Sequence, residues 1–177
     1  MQLRIAGLHR QSVVDGPGVR TVVFTQGCHH NCPGCHNPQT HDPQGGRLVD
    51  INELAAEILG DRHVRGVTFS GGEPFLQPQA LAALARLLKA RKIHLVVYSG
   101  YTFEELLDKG RRDQATAALL AACDLLVDGP YLQEQRDISL LYRGSRNQRI
   151  IDLPASLKAG GAVLSELHYR GLKRADA

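Results

Sequence analysis

The sequence predicts an α/β fold with a mainly parallel β-sheet. Short β-branched runs that end near glycine alternate with stretches of helical apolar spacing along most of the chain, and such alternation favours parallel strands joined by right-handed crossovers. The chain has 177 residues, which is enough for a single domain with one core. A closed eight-fold barrel takes at least about 200 residues, so we expect a partial, splayed barrel or an open sheet with one open side.

The first predicted strand is VRTVVFTQG, residues 19–27, which is rich in β-branched residues and ends in glycine. It leads into a cysteine-rich segment, GCHHNCPGCHN, residues 27–37, called the cysteine loop below. Asp50 is the predicted N-cap of a helix over INELAAEILG, residues 51–60. The second predicted strand, VRGVTFS, covers residues 64–70 and ends at a glycine-rich turn, GGEP. Two consecutive strands therefore deliver unusual loops at their carboxyl ends.

The alternation continues through the middle of the chain. QPQALAALARLLKARK, residues 77–92, has the apolar spacing of a helix, and IHLVVYSG, residues 93–100, is typical of a strand. Thr102 and Glu105 form a capping box for a helix over FEELLDKG. A further helix is predicted over residues 113–122.

Two more strands are predicted near the end of this pattern. DLLVDG, residues 124–129, is the fourth strand, and QRIIDL, residues 148–153, is a candidate fifth. Beyond them the pattern weakens, and we expect residues 154–177 to form an appended segment with a polar, mobile end. The prediction is a single domain over residues 1–177 with its core at residues 13–153.

Composition excludes several classes of protein. Hydrophobic residues make up 43% and charged residues 22%, as in ordinary globular proteins. The net charge of +3 is only mildly basic, whereas a nucleic-acid-binding domain typically carries a clustered basic surface. We therefore expect no nucleic-acid partner. The N-terminus lacks the apolar core of a signal peptide, and no run approaches the roughly 18 apolar residues of a membrane span. We therefore expect a cytoplasmic protein with no membrane partner.

The cysteine loop carries the most informative spacing in the chain. Cys28, Cys32 and Cys35 are spaced C-x3-C-x2-C, and in a reducing compartment such a set more often holds a metal or performs chemistry than forms disulfides. Thiolates favour both zinc and iron-sulfur clusters, so the spacing alone leaves the two open. Cys123 lies alone in an apolar stretch, LLAACDLLVDG, and is predicted to pack in the core.

The two kinds of metal site make different demands on the fourth position. A zinc ion needs a fourth ligand, for which His29, His30, His36 and His41 are candidates, but structural zinc sites usually draw on two separated knuckles. The chain has no second CxxC and no HxxxH pattern. A [4Fe-4S] cluster held by three cysteines keeps one iron open to a substrate. The simpler interpretation is that three of these histidines are ordinary polar loop residues and not ligands: His29, His30 and His41. The tyrosines nearby are then half-buried aromatic residues: Tyr98, Tyr101 and Tyr131.

The CxxxCxxC pattern after the first strand resembles the hallmark of the radical S-adenosylmethionine (SAM) superfamily. SGGEP, residues 70–74, after the second strand is similar to the stretch with which that superfamily binds the methionine amino group. The resemblance implies a partial parallel β/α barrel and a [4Fe-4S] cluster on the three cysteines. It further implies that the open iron chelates SAM and that an electron from the cluster releases a 5′-deoxyadenosyl radical, with the protein supplying position and shelter.

Three longer stretches resemble one branch of that superfamily, the activating proteins of anaerobic (class III) ribonucleotide reductase. They are VVDGPGVRTVVF, CPGCHNP and CDLLVDGPYLQEQRDISLLYRGSRNQRIIDL, which together span residues 13–153. DGPG is shared with activases of other glycyl-radical enzymes. The resemblance implies that the partner is the large reductase subunit, which receives a glycyl radical, and that a flavodoxin-like protein donates the electron. It implies no catalytic residue beyond the cluster and the SAM site.

The resemblance also implies the site residues. The cluster ligands would be Cys28, Cys32 and Cys35. The SAM contacts would be Gly34, Cys35, His36, Gly71, Gly72, Glu73, Ser99 and Asp128. Candidates for the partner or SAM side are Asp15, Gly16, Arg143, Arg146 and Asn147.

Several of these positions have a simpler structural interpretation. Asp128 suits a cap of the following turn, and Ser99 suits the end of a strand. Asp15 to Gly18 suits a turn, and loop arginines are often solvated. Gly34 and His36 depart from the aromatic residues that the superfamily commonly has there; a histidine at 36 can still stack on adenine. Two other functions stay open: a radical enzyme acting on a different glycyl-radical protein or a small heterocycle, and a non-catalytic zinc-binding adaptor.

Overall fold

The computed structural model describes residues 1–170 and contains one seven-stranded sheet. The sheet order is β3-β1-β2-β4-β5-β6-β7. The strands are β1 (Gln2–Ser12), β2 (Arg20–Thr25), β3 (Arg47–Asp50), β4 (Gly66–Gly71), β5 (His94–Tyr98), β6 (Leu125–Asp128) and β7 (Arg149–Asp152).

The centre of the sheet is parallel and its margins are antiparallel. Strands β2, β4, β5 and β6 run parallel to one another, as the sequence predicts. β1 is antiparallel to both β2 and β3, and β7 is antiparallel to β6. Within residues 1–170, β3 and β7 form the two edges of this sheet. The architecture is therefore a mixed α/β fold around an open seven-stranded sheet.

The helices begin and end at residues whose chemistry explains the boundaries. They are α1 (Ile51–Gly60), α2 (Pro78–Lys89), α3 (Phe103–Arg112), α4 (Gln114–Ala122) and α5 (Leu153–Ala159). Asp50 accepts the amide hydrogens of Asn52 and Glu53 at the start of α1. Thr102 and Glu105 form the predicted capping box at the start of α3.

The main core lies between one face of the sheet and the helices. Val67 and Phe69 of β4 point into it, and the intervening Thr68 lies on the opposite face, as the period of a strand requires. Leu81 and Leu84 of α2 are fully buried in the same cluster. Cys123 is also part of this core, as predicted, and burial raises the pKa of its thiol.

The opposite face is covered near β5, β6 and β7. Val96, Val127 and Ile150 form a smaller apolar cluster there, against which Tyr142 and Leu167 pack. The segment after residue 153 thus takes part in the fold through α5 and the 3₁₀ turn Glu166–Tyr169. The polar end that the sequence predicts to be mobile falls mainly on residues 171–177, outside the described residues.

Arg20 anchors the amino-terminal edge of the parallel strands. Its side chain is fully buried, and its guanidinium donates to the carbonyls of Pro17 (2.7 Å), Val67 (3.1 Å) and His94 (3.3 Å). Burial lowers its pKa to about 10. A Cβ atom on Gly16 would lie 2.5 Å from a guanidinium nitrogen, so the turn after β1 needs glycine because of this arginine.

The described helices give no membrane-crossing segment: none within residues 1–170 combines the necessary length with the necessary apolar character.

Replacing Arg20 by methionine should lower the free energy of unfolding by about 3 kcal/mol, because three buried or partly buried carbonyls lose their donor. Urea unfolding of the cluster-free protein measures this change. Arg91 is exposed, so Arg91→Met serves as the matched control and should change the stability by less than about 0.5 kcal/mol. Equal effects of the two substitutions would contradict the role assigned to Arg20.

Candidate functional site

The cysteine loop begins where β2 ends and is closed by backbone hydrogen bonds. Gly27 donates its amide hydrogen to the carbonyl of Thr40 at 2.8 Å, and Cys28 donates to His41 at 3.0 Å. Cys35 donates to Cys32 at 3.1 Å inside the loop. The start of the loop is thereby fixed against residues 40–41, and Cys32 and Cys35 lie on one turn.

The three loop cysteines line one cavity of about 130 Å³ at the carboxyl edge of the parallel strands. All three are free and half-buried. The same loop also contributes His30, His36 and Asn37 to the lining. The rest comes from the GGEP turn, the end of β5, and the segment after β6, including Gly71, Gly72, Glu73, Ser99, Gly100, Gly129, Tyr131 and Gln148. The structure therefore brings together the cysteines and the second predicted motif.

The chemistry of this donor set fits an iron-sulfur cluster. Burial raises the pKa of the Cys28 thiol, so a bound cation is what would favour its thiolate form. The amide hydrogen of Asn37 points to Cys35 Sγ at 3.4 Å, and such bonds to sulfur tune clusters. Within residues 1–170, no three histidine, cysteine or acidic side chains converge closely enough to hold a single metal ion.

Two of the four candidate zinc-ligating histidines form side-chain hydrogen bonds to other residues of the site. The Nε2 atom of His29 lies 2.7 Å from the Tyr101 hydroxyl, and that of His30 lies 2.8 Å from a Glu73 carboxylate oxygen. His36 packs against Tyr131 with ring centroids 4.8 Å apart. His41 contributes its backbone carbonyl to Cys28. Hydrogen bonds thus engage the rings of His29 and His30, whereas the His41 Nε2 atom is buried without a hydrogen-bond partner.

The GGEP turn continues the parallel pairing of β2 and β4 past the ends of the strands. Gly72 donates its amide hydrogen to Thr25, and Glu73 donates to Gly27, each at 2.8 Å. A Cβ on Gly72 would lie 2.3 Å from the Gly27 carbonyl oxygen, and one on Gly71 would lie 2.7 Å from Phe24 Cα. Both glycines are therefore needed for the contact between this turn and the start of the cysteine loop.

Glu73 and Ser99 lie side by side in the site and are joined by a hydrogen bond. The Ser99 hydroxyl lies 3.0 and 3.1 Å from the two Glu73 carboxylate oxygens. Glu73 is only 1% exposed, and its carboxylate also accepts the amide hydrogens of Phe75 and Gly100, each at 2.9 Å. The sequence predicts that these residues lie at the site and gives no sign of their mutual bond.

Asp128 is buried at the end of β6 and supports helix α3. Its carboxylate accepts the amide hydrogen of Phe103 at 2.7 Å and forms an ion pair with Arg149. Arg149 also reaches Glu104 at 2.7 Å, and both carboxylates raise the pKa of its guanidinium. Asp128 thus holds the start of α3, and its neighbour Gly129 lines the cavity instead. The sequence marks Arg149 as a loop arginine that could bind a carboxylate, but no local pattern indicates that the carboxylate lies 21 residues earlier in the same chain.

Residues 143–149, here the RGSRNQR loop, fold against the segment after β6. Arg143 is buried and donates to the His168 carbonyl at 2.7 Å, which ties this loop to the C-terminal turn. Arg146 is exposed and pairs with Asp137 at 3.0 Å. Asn147 donates to the Pro130 carbonyl at 2.7 Å, while its Oδ1 is buried without a partner.

Some predicted site residues lie apart from the cavity lining. Gly16 packs against Arg20 at the amino ends of the strands, and the Asp15 side chain accepts a hydrogen bond from Ser12. Gly34 is exposed, and a Cβ there would lie 2.8 Å from the Gln133 side chain. Gln148 lines the cavity and was missed by sequence reasoning; its side chain bonds the backbone of Gly129 and Gly144.

Comparisons with known proteins indicate the family of the chain. Residues 14–151 match the family model described as a 4Fe-4S single cluster domain. The anaerobic ribonucleoside-triphosphate reductase-activating protein of Vibrio cholerae is 37% identical over 148 residues, which cover 78% of this chain and 90% of that protein. The Escherichia coli K12 protein of the same description is 32% identical, over 77% of this chain and 90% of its own length.

A second kind of relative matches a shorter part of the chain. The pyruvate formate-lyase-activating enzyme of Clostridium pasteurianum is 43% identical over 113 residues, which cover 59% of this chain and 48% of that enzyme. Among solved structures, QueE from Escherichia coli overlaps with a TM-score of 0.48 and 19% identity, covering 57% of this chain and 54% of that chain.

The family model spans most of the described residues, and the reductase-activating relatives are matched over nearly their whole length. The chain therefore belongs to the 4Fe-4S single cluster domain family of the radical SAM superfamily, among the anaerobic ribonucleoside-triphosphate reductase-activating proteins.

Proposed function

We propose that this protein is a SAM-dependent iron-sulfur enzyme that installs a glycyl radical on the large subunit of anaerobic ribonucleotide reductase. The observation that carries the proposal is the meeting of three free cysteines and the GGEP turn around one cavity. The near full-length match to reductase-activating proteins supports the choice of recipient.

Cys28, Cys32 and Cys35 would hold the cluster, and three ligands leave a corner for SAM. When bound, the cluster and SAM supply an electron and a 5′-deoxyadenosyl radical that removes a hydrogen atom from a glycine Cα of the partner. The chain's own residues hold and shelter these groups. The Asn37 amide hydrogen would stabilise the Cys35 sulfur, and Ser70, Gly71 and Gly72 line the cavity.

The remaining proposals concern the surroundings of the site. The four parallel strands would form a partial barrel of the radical SAM type, whose open side admits an extended glycine loop of the partner. A low-potential donor such as a flavodoxin would reduce the cluster, and the enzyme would work in the cytoplasm. Three residues are candidates for contacts to SAM or the partner: Gly34, His36 and Asn147. His36 offers an aromatic ring, and Asn147 offers a buried oxygen that has no hydrogen-bond partner.

A second recipient class is favoured by one observation. The identity to a pyruvate formate-lyase-activating enzyme is 43%, though over less than half of that enzyme. The same radical chemistry directed at another glycyl-radical enzyme is therefore the alternative function. Only the identity of the recipient protein separates the two.

The anaerobically reconstituted protein, once reduced, should convert SAM to 5′-deoxyadenosine. With anaerobic ribonucleotide reductase present, the doublet of a glycyl radical should appear in the electron spin resonance spectrum. Chromatography of the nucleoside and spectra with each recipient measure the two steps. An intact cluster that never cleaves SAM would sink the proposal, whereas a doublet seen only with another glycyl-radical enzyme would favour the second recipient class.

Substitution of single cysteines separates cluster ligands from core residues. Cys28→Ala, Cys32→Ala and Cys35→Ala should each lower 5′-deoxyadenosine formation by at least about a hundredfold, because the two cysteines that are left would not retain the cluster. Cys123→Ala should keep both the cluster and the activity, since that thiol lies in the apolar core. Iron content, sulfide content and the visible spectrum check retention.

The same experiment tests the ligand assignment. Full activity in any of the three loop variants, or cluster loss in Cys123→Ala, would show that the ligand set is wrong. A colourless wild-type protein holding one stoichiometric zinc ion would instead support the adaptor interpretation.

A further inference from the structure

The Glu73 carboxylate joins three separate segments of the site. One oxygen accepts the amide hydrogen of Phe75, within its own turn, at 2.9 Å. The other accepts from the Gly100 amide after β5 at 2.9 Å and from His30 Nε2 on the cysteine loop at 2.8 Å. The Ser99 hydroxyl lies within 3.1 Å of both oxygens. One side chain thereby connects the cysteine loop, the GGEP turn and the β5–α3 turn.

These bonds use the accepting capacity of the carboxylate. An ionised carboxylate offers about four lone-pair positions, and the four donors fill them while the side chain is 1% exposed. A buried carboxylate is tolerated only when it is fully hydrogen-bonded. The Glu73 carboxylate therefore binds the protein's own loops, and the neighbouring Gly71 and Gly72, which have no side chains, line the cavity beside it.

His30 is the donor that the cysteine loop contributes to this arrangement. Ser99, Gly100 and Phe75 belong to the other two segments. The His30 ring also packs edge-to-face on Tyr101, with centroids 4.6 Å apart. A Cβ on Gly100 would lie 2.5 Å from the ring, so the absence of a side chain there is what admits the histidine. The ring is held by contacts on two sides.

We propose that His30 is a positioning residue that, by donating Nε2–H to Glu73, sets the cysteine loop at the correct distance from the SAM-binding turn. The inference rests on the proposed function, because it assigns His30 a purpose in placing the cluster beside SAM. His30 lines the cavity together with the three cysteines, and the role proposed for it depends on its bond to Glu73.

The chain offers a matched set of variants. His30→Gln keeps an N–H donor near the position of Nε2, whereas His30→Leu keeps a similar volume without a donor. His29→Gln is the control, since His29 is exposed, bonds Tyr101 instead of Glu73, and does not line the cavity. The measurement is the affinity of each reconstituted protein for SAM, followed through the SAM-induced change in the spin resonance spectrum of the reduced cluster.

We expect His30→Leu to lose SAM affinity and His30→Gln, which keeps an N–H donor, to retain most of it. His30→Leu should bind SAM about tenfold more weakly, the equivalent of one hydrogen bond of about 1.4 kcal/mol. His30→Gln should stay within about threefold of wild type and His29→Gln within about twofold. The KM for SAM should follow the affinity, while kcat at saturating SAM should change by less than about threefold, since the chemistry itself is untouched.

A second readout uses the cluster-free protein. Hydrogen exchange at the Gly100 amide should be about tenfold faster in His30→Leu, because the carboxylate that accepts this hydrogen loses one anchor. The rate in His30→Gln should match wild type. A fall in global stability alone would accelerate exchange throughout the core, so a change confined to the three connected segments distinguishes positioning from general unfolding.

Each outcome decides the inference. Unchanged SAM affinity in His30→Leu, or His30→Gln as impaired as His30→Leu, would overturn it. If His30→Leu retains no cluster, His30→Gln decides: affinity within about threefold of wild type supports the role, and a loss above about tenfold refutes it. A wild-type protein that binds SAM but never cleaves it would refute the proposed function and leave these affinity comparisons standing.

Discussion

Close contact between the carboxyl ends of β2 and β4 determines the shape of the site. The ladder that pairs Thr25 with Gly71 is extended by two further backbone hydrogen bonds, from Gly72 to Thr25 and from Glu73 to Gly27. Only residues without a Cβ allow this approach. Because parallel strands end at one edge, the loops that follow them must share that edge. The cysteine loop and the GGEP turn are neighbours for this reason, although they are far apart in sequence.

Local sequence patterns predicted the interior of the fold well and its margins poorly. β2, β4, β5 and β6 and the first four helices appear within a few residues of their predicted bounds. β1 was missed because only Leu3, Ile5 and Ser12 are buried and two irregularities break its register, so no regular alternation is visible. β3 has four residues, none fully buried. The direction of β7 was not predicted; it is antiparallel to β6, and the segment joining the two contains no α-helix, since only a parallel neighbour requires a long crossover.

The residues of the site were likewise predicted where the signal is local in sequence and not where it depends on distant partners. Spacing within one segment indicated the three cysteines and the GGEP turn, which the structure places around one cavity. Contacts between residues that are far apart in sequence are not indicated by any local spacing. Asp128 is committed to Arg149 and the start of α3, and Arg143 to the C-terminal turn. Gly16, a candidate for the partner or SAM side, makes room for a buried guanidinium. Each of these roles depends on residues brought together by folding, which a linear pattern does not encode.

The positions of the cysteine sulfur atoms mean that oxidation can alter the site without disturbing the core. Apart from the N-terminal Met1, the chain carries four sulfur atoms, three in one half-buried loop and the fourth sealed between sheet and helices with its thiol pKa raised. Oxidants attack accessible sulfur with thiolate character first. Air would therefore inactivate the protein by altering a single loop, and the oxidised chain would keep the shape of the native one.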